Sequence, residues 1–303
     1  MGSSTRRVVG VGWSGIATLS SSTIKPRTAP DVKAREPPAD DAATCDTAPV
    51  HPFLDAPLPL AIAHRGGSAD GTENTIASFA RAVELGYRHL ETDVRVTADG
   101  ELVAFHDPGL ERVAGTDRRL RDLTWAELSR LRVGGREPVP RFSEVLKAFP
   151  DARLLVDPKC DGAVDPLISA LRDHDAVDRV CVGSFSSDRL RRVRAAFGDA
   201  VCTSMGPGEA LRLRLAAWRV LPLSAVPTEP ACAQVPVRYG PLVFAEPRCI
   251  AFAHASGLQV HVWTVNDRAT MTRLLDLGVD GVITDELTVL RDLLVARGQW
   301  HGG

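Results

Sequence analysis

One pattern governs the chain from residue 58 to residue 297: a short apolar run, then an amphipathic stretch of helical period. Apolar runs at 60–64, 88–93, 101–105, 153–157, 180–184, 200–203, 231–235, 258–263 and 280–284 read as strands. The stretches 75–85, 124–131, 142–148, 163–173, 187–196, 207–217, 246–256, 267–277 and 286–297 read as helices. A strand that returns through a helix emerges parallel to its predecessor, so this alternation predicts a parallel sheet covered by helices. Over roughly 240 residues a closed (β/α)8 TIM barrel accommodates it better than an open doubly wound sheet. Nine runs compete for eight places. The "VTADGEL" stretch, with Asp99 and Gly100 as turn residues, predicts a tight return between two strands and marks where the strict repeat breaks.

Polar residues are phased to the ends of the apolar runs: "IAHR", "LETD", "VAFHD", "LLVDPK", "VGSF", "VWTVN" and "VITD". Barrel enzymes keep their chemistry at the C-terminal ends of strands, so this phasing predicts a site and not scattered surface polarity. In "LETD", Glu91 and Asp93 stand two apart and share one face of a strand. Two carboxylates in one space repel unless a cation or a shared proton relieves them. Asp157 ends another run, and three strand-end carboxylates suit a hard divalent cation, Mg2+ or Ca2+. Nothing in the spacing of histidines and cysteines suits zinc. Arg65 and Lys159 add positive charge beside those acids, which predicts an anion and, among anions, a phosphate. His64 and His106 end two strands on either side of the acidic pair and are the candidate acid and base. Asp107 is placed to orient His106. His254 and His261 read as structural, and His51, His89, His174 and His301 fit no constellation.

A net charge of -2 gives no reason to expect nucleic acid or an anionic membrane as partner. No segment approaches the length of a membrane span, so stable insertion is not expected. The cysteines at 45, 160, 181, 202, 232 and 249 form no CxxC pattern and read as reduced thiols, three of them (181, 202, 232) inside apolar runs. Residues 1–57 are rich in Ser, Thr, Pro and Ala and read as a disordered extension, with the folded domain over 58–303. "TRRVVGVGWSGIATLSSS" loosely matches a twin-arginine export signal, but no small-residue cleavage site follows. The reading favours a cytoplasmic protein over an exported one. The sequence carries no signal for an oligomeric state.

Taken in order, "HRGG" with "ENT" close behind, then "ETDV", "FHD", an acid-x-Lys strand, "SF", "VWTVN" and "GVITD", the motifs resemble those of the glycerophosphodiester phosphodiesterase family over roughly residues 58–297. The resemblance implies a TIM barrel of the phospholipase C-like phosphodiesterase type, with a small insertion after the third strand at about 107–140. It implies metal-dependent hydrolysis of a small glycerophosphodiester to sn-glycerol 3-phosphate and an alcohol. On that basis His64 and His106 are the acid–base pair, and Glu91, Asp93 and Asp157 hold the metal. Asp157 stands where relatives often carry Glu. Arg65 and Lys159 contact phosphate, Glu73 of "ENT" orients Arg65 or the metal's surroundings, and Phe185 and Trp263 form the hydrophobic side of the pocket. Alternative readings are a related phospholipase D-type barrel acting on lysophospholipid or sphingomyelin, a non-catalytic phosphate-binding barrel, and a proton-abstracting isomerase.

Overall fold

In the computed structural model, residues 51–68 and 71–302 are described. The predicted N-terminal extension and the export-signal match fall on residues 1–50 and lie outside the described residues. Strands β1 (Leu60–Ala63), β2 (His89–Val96), β3 (Leu102–Ala104), β4 (Arg153–Pro158), β5 (Val180–Val182), β6 (Cys202–Thr203), β7 (Cys232–Pro236), β8 (Gln259–Trp263) and β9 (Gly281–Thr284) carry the sheet. Eight of them run parallel in the order β6-β5-β4-β2-β1-β9-β8-β7. A parallel bridge between Ser204 and Cys232 joins the two ends and closes a barrel. The ninth apolar run is β3, which turns back at Asp99–Gly100 and pairs antiparallel with β2. That hairpin is the break in the repeat expected from "VTADGEL".

The helices Ile76–Glu84, Phe142–Ala148, Val164–Asp173, Ser187–Phe197, Pro207–Ala217, Pro247–Ala255, Arg268–Asp276 and Leu287–Ala296 follow the barrel strands in turn. Their apolar stripes pack on the outer face of the sheet in one continuous core that includes Phe79, Leu90, Val94, Leu154, Val182, Leu274 and Leu290. Near-continuous burial along the strands and burial at period 3.6 on the helices explain why the runs were readable. The start of the first helix differs from expectation. Thr75, not Asn74, is its N-cap, in a reciprocal pair with Ser78. Asn74 instead takes φ 54° and turns its side chain toward β2. The insertion at 107–140 packs Leu110, Leu120, Leu123, Leu128 and Val139 against Val103 and Phe105 in a second small core.

The N-terminal boundary also shifts. His51–Pro57, grouped with the extension on composition, packs on the bottom of the barrel. Phe53 and Leu54 are buried beside Leu60, Ile62, Leu155 and Ile283. Carbonyl oxygens of this segment meet side chains at the starts of three strands: Phe53 O lies 3.2 Å from His89 Nε2, Asp55 O accepts from Arg153, and Leu54 O accepts from Gln259. The segment therefore stops the end of the barrel opposite the strand-end motifs, and the folded unit begins at least as early as residue 51.

Candidate active site

The "HRGG" turn is built by backbone geometry before any chemistry. β1 ends at Ala63, and Arg65, Gly66 and Gly67 all take positive φ, 55°, 78° and 85°. A Cβ on Gly66 would stand 2.8 Å from the backbone nitrogen of Phe79, and one on Gly67 would stand 2.8 Å from Leu287 Cδ1. Only glycine fits both the conformation and the space. The turn aims the Arg65 backbone N–H at Glu91 Oε2, 2.9 Å away, and so ties the end of β1 to β2.

One cavity of about 610 Å3 opens at the C-terminal ends of the strands. His64, Arg65, Glu91, Asp93, His106, Asp157, Lys159, Phe185 and Trp263 all line it. Glu73 does not. Its carboxylate lies behind Arg65, accepting from Arg65 Nη1 at 2.9 Å and from Arg112 Nη1 and Nη2 at 2.7 and 2.6 Å. Glu73 thus contacts Arg65, one of its two suggested partners. Arg112 continues the chain by donating to Asp107 Oδ2 at 2.6 Å, and Asp107 Oδ1 lies 2.5 Å from His106 Nδ1.

The two histidines are held alike. His64 Nδ1 lies 2.7 Å from Asp285 Oδ1. A carboxylate on Nδ1 fixes a proton there and leaves Nε2 as the working nitrogen of each ring. Burial pulls the His64 pKa down, but Glu91, with its Oε2 3.8 Å from Nε2, and Asp285 outweigh it and raise it above the ordinary value. Asp285 is lowered to about 2, since the bond from His64 and its charge outweigh burial.

The acids are not alike. Burial alone would raise Asp93, but Lys159 Nζ at 2.8 Å and Arg65 Nε at 3.0 Å hold it below the usual carboxylate range. Asn74 Nδ2 adds a bond to Asp93 Oδ2 at 3.0 Å. Glu91 is pushed up, by burial first and then by the charge of Asp93. Asp157 is raised by burial despite Lys159 Nζ at 2.6 Å. The three carboxylates share the cavity, but their oxygens are not drawn into one tight cluster, and Lys159 stands between Asp93 and Asp157. The donor set nevertheless fits a hard cation. It is all oxygen, and Glu91 is a buried acid whose charge His64, Lys159 and Arg65 offset only in part. The opposite side of the cavity is apolar. Phe185 and Trp263 meet edge to face at 5.4 Å, with Met205, Leu211, Tyr239, Leu242 and Phe244 beyond them.

The glycerophosphoryl diester phosphodiesterase family model matches residues 64–289, from the "HRGG" turn through the last barrel strand. The chain belongs to this family. The probable glycerophosphodiester phosphodiesterase 2 of Mycobacterium tuberculosis is 36% identical, over 84% of this chain and 98% of its own. The glycerophosphodiester phosphodiesterase of Caldanaerobacter subterraneus is 30% identical, over 79% of this chain and 99% of its own. The crystal structure of a putative glycerophosphoryl diester phosphodiesterase from Silicibacter pomeroyi superposes with a TM-score of 0.67 at 25% identity, covering 81% of this chain and 97% of its own.

Within this phosphodiesterase framework, four polar residues at or behind the site escaped the sequence reading. Asp285 was visible as the end of "VITD" but had no partner until β9 was set beside β1. Asn266, from "VWTVN", donates to Asp285 Oδ2 at 2.8 Å. Asn74 looked like a cap and is a ligand of Asp93. Arg112 comes from the insertion, and no local pattern marks it.

Proposed function

We propose that this chain is a metal-dependent phosphodiesterase that adds water across a glycerophosphodiester to give sn-glycerol 3-phosphate and an alcohol. The observation that carries the reading is the arrangement of His64 and His106 on one cavity, each with Nδ1 against a carboxylate, around Arg65 and Lys159. Glu91, Asp93 and Asp157 would hold one divalent cation, Mg2+ or Ca2+. When bound, such an ion polarises a phosphoryl oxygen and lowers the pKa of a coordinated hydroxyl or water.

The chain's own residues supply the rest. Arg65 and Lys159 attract and orient the diester, and Glu73 keeps the Arg65 guanidinium in place. One imidazole takes a proton from the attacking oxygen at Nε2, and the other gives a proton from Nε2 to the leaving alcohol. Phe185 and Trp263 exclude water from the side of the phosphate away from the acids. The test is release of glycerol 3-phosphate from a panel of water-soluble glycerophosphodiesters, with and without chelator. No glycerol 3-phosphate from any of them overturns the reading.

A second substrate class is favoured by the apolar wall. Phe185 is 60% exposed, Tyr239 68% and Leu211 39%, and all three rim the cavity. A lysophospholipid presents the same diester with an acyl chain attached, and that chain would lie along this wall. Adding lysophosphatidylcholine to the panel tests it: release of lysophosphatidate supports this class, and no release refutes it. Among the described residues no helix is long and apolar enough to cross a membrane.

A further inference from the structure

One layer below the reaction cavity the barrel interior departs from its usual filling. Closed barrels of this type fill their interior with branched aliphatic side chains in layers. Here β5, β6 and β7 contribute Cys181, Cys202 and Cys232, all fully buried. Their three sulfurs lie within 4.8 Å of one another, and Cys181 Sγ is 3.9 Å from Cys232 Sγ. Among the described residues they form the one group of three Cys, His, Asp or Glu ligands drawn this close. The register produces the cluster. Cys181 pairs with Cys202, and the closing bridge from Ser204 to Cys232 brings in the third thiol. The residues two positions on, Gly183, Ser204 and Gln234, line the cavity, so the thiols lie beneath its floor.

A fourth donor stands beside Cys232, its ring nitrogens outside the 4.8 Å group formed by the three sulfurs. His261 on β8 is fully buried and its ring contacts Cys232. Its Nε2 lies 3.2 Å from Gln259 Oε1, and its Nδ1 has no hydrogen-bond partner. A ring whose Nε2 proton points at a carbonyl oxygen presents Nδ1 as a lone pair, and buried polar atoms are rarely left without a partner. Gln234 Nε2, 3.9 Å from Cys181 Sγ, points an amide donor at the cluster from above.

We propose that Cys181, Cys202, Cys232 and His261 form a zinc site inside the barrel, distinct from the carboxylate site above it. Tetrahedral zinc–thiolate bonds of about 2.3 Å set neighbouring sulfurs roughly 3.8 Å apart, which is the spacing of the closest pair here. Three thiolates and an imidazole are a soft donor set for a zinc-class ion, whereas the oxygen donors above suit a hard one. Ligand chemistry would therefore sort two different metals into two sites a layer apart. The position also has a structural consequence. β6 and β7 are the two ends of the sheet path and meet through one bridge outside the named strands. An ion held by Cys202 on one side and Cys232 and His261 on the other staples the seam at which the barrel closes.

The test uses the full chain, purified under reducing conditions without chelator. Native mass spectrometry and elemental analysis are expected to find one zinc per chain. Cobalt titrated into the metal-stripped protein is expected to give thiolate-to-cobalt charge transfer and intense tetrahedral visible bands. The carboxylate site has no sulfur and cannot produce those signals. Cys202→Ser and His261→Ala are each expected to weaken cobalt affinity by about tenfold or more, since even supporting groups around a metal commonly matter by that factor. If Cys202→Ser does not fold, Cys181→Ala and His261→Gln provide the same comparison, and the wild-type spectrum stands without any variant. Folded, reduced wild-type protein that carries no zinc and shows no sulfur-to-cobalt absorption overturns the proposal.

Discussion

Asp285→Asn isolates the part of the site that orients His64. The side chain keeps its size, and its amide oxygen can still accept from Asn266 Nδ2, whose own oxygen is held by Asp285 N–H and Thr284 Oγ1. What changes is the atom facing His64 Nδ1, now 2.7 Å from a carboxylate oxygen. A hydrogen bond to a charged partner is worth ~1.5–3 kcal/mol, and at about 1.4 kcal/mol per decade its loss alone costs roughly ten- to 150-fold. An asparagine that turns its NH2 to Nδ1 does more, because it moves the ring proton to Nε2 and removes the base. That cost is the ~10²–10⁴ usually attached to an acid–base residue. The expected result is a fall in kcat of about 10²–10⁴ with a small change in KM, because Asp285 does not face the phosphate-binding side chains. Removing a charge that raises the His64 pKa also moves the corresponding limb of the kcat/KM profile to lower pH. The assay is steady-state hydrolysis across pH, with thermal unfolding to confirm an intact barrel. A folded Asp285→Asn that retains more than about a tenth of wild-type kcat, against that range, refutes the orienting role.

His64→Ala and His106→Ala are each expected to lose most turnover while melting within a few degrees of wild type, as strand-end residues at the barrel mouth serve the site and not the core; a variant with near-normal turnover removes that histidine from the mechanism. Dialysis against excess EDTA is expected to abolish activity, with recovery on adding Mg2+ or Ca2+, and full turnover after chelation sinks the metal assignment. Because Lys159 Nζ lies 2.6 Å from Asp157 Oδ2, Asp157→Asn is expected to raise KM through a misplaced Lys159 and to weaken metal affinity less than Glu91→Gln does; parallel Mg2+ titrations of the two variants decide it. At the other end of the barrel, burial lowers the His89 pKa to about 3. Between that value and the ordinary 6.5 the unfolded chain binds a proton that the folded chain does not, so stability contributed above pH 6.5 is lost as pH falls, at about 1.4 kcal/mol per unit or about 2 kcal/mol by pH 5. Melting temperatures at pH 7 and pH 5 are expected to differ more in wild type than in His89→Gln, and an equal difference in both excludes His89 as the cause.

The barrel was legible because its signal is local and repeated. Each helix from 142–148 to 286–297 buries one stripe against the sheet, and that period is written in the sequence without reference to any other segment. The strand-end side chains were legible for the same reason, since alternation places Glu91 with Asp93 whatever the barrel does around them. What was not legible depends on closure. The partnership of Asp285 with His64 spans the chain and exists only because β9 pairs with β1. The thiol cluster exists only because Ser204 meets Cys232. Asn74 shows a third limit: a residue fit to cap a helix is equally fit to bond a carboxylate, and the left-handed backbone at 74 decides for the second. His51–Pro57 was misplaced because its composition is that of a linker, while Phe53, Leu54 and three backbone carbonyls anchor it under the barrel.

The charges around the cavity bear on the proposed pairing of a cation with an anionic substrate. Glu91, Asp93 and Asp157 face Arg65 and Lys159, so the acids outnumber the bases by one. Asp93 takes both cations, Asp157 shares Lys159, and Glu91 is left with only partial relief, so burial and the charge of Asp93 push its pKa up. A buried carboxylate in that condition destabilises the site as it stands. A divalent cation would reverse the balance to one positive charge in excess, which matches the single negative charge of a phosphodiester. The product phosphomonoester carries a second negative charge near neutral pH and would be attracted more strongly by the same set, so product inhibition would report on this balance. Glu91→Gln alters this balance, together with the charge beside His64 Nε2, and should change metal affinity and product inhibition together. If Glu91→Gln moved product inhibition and left metal affinity unchanged, the charge argument would fail at its central residue.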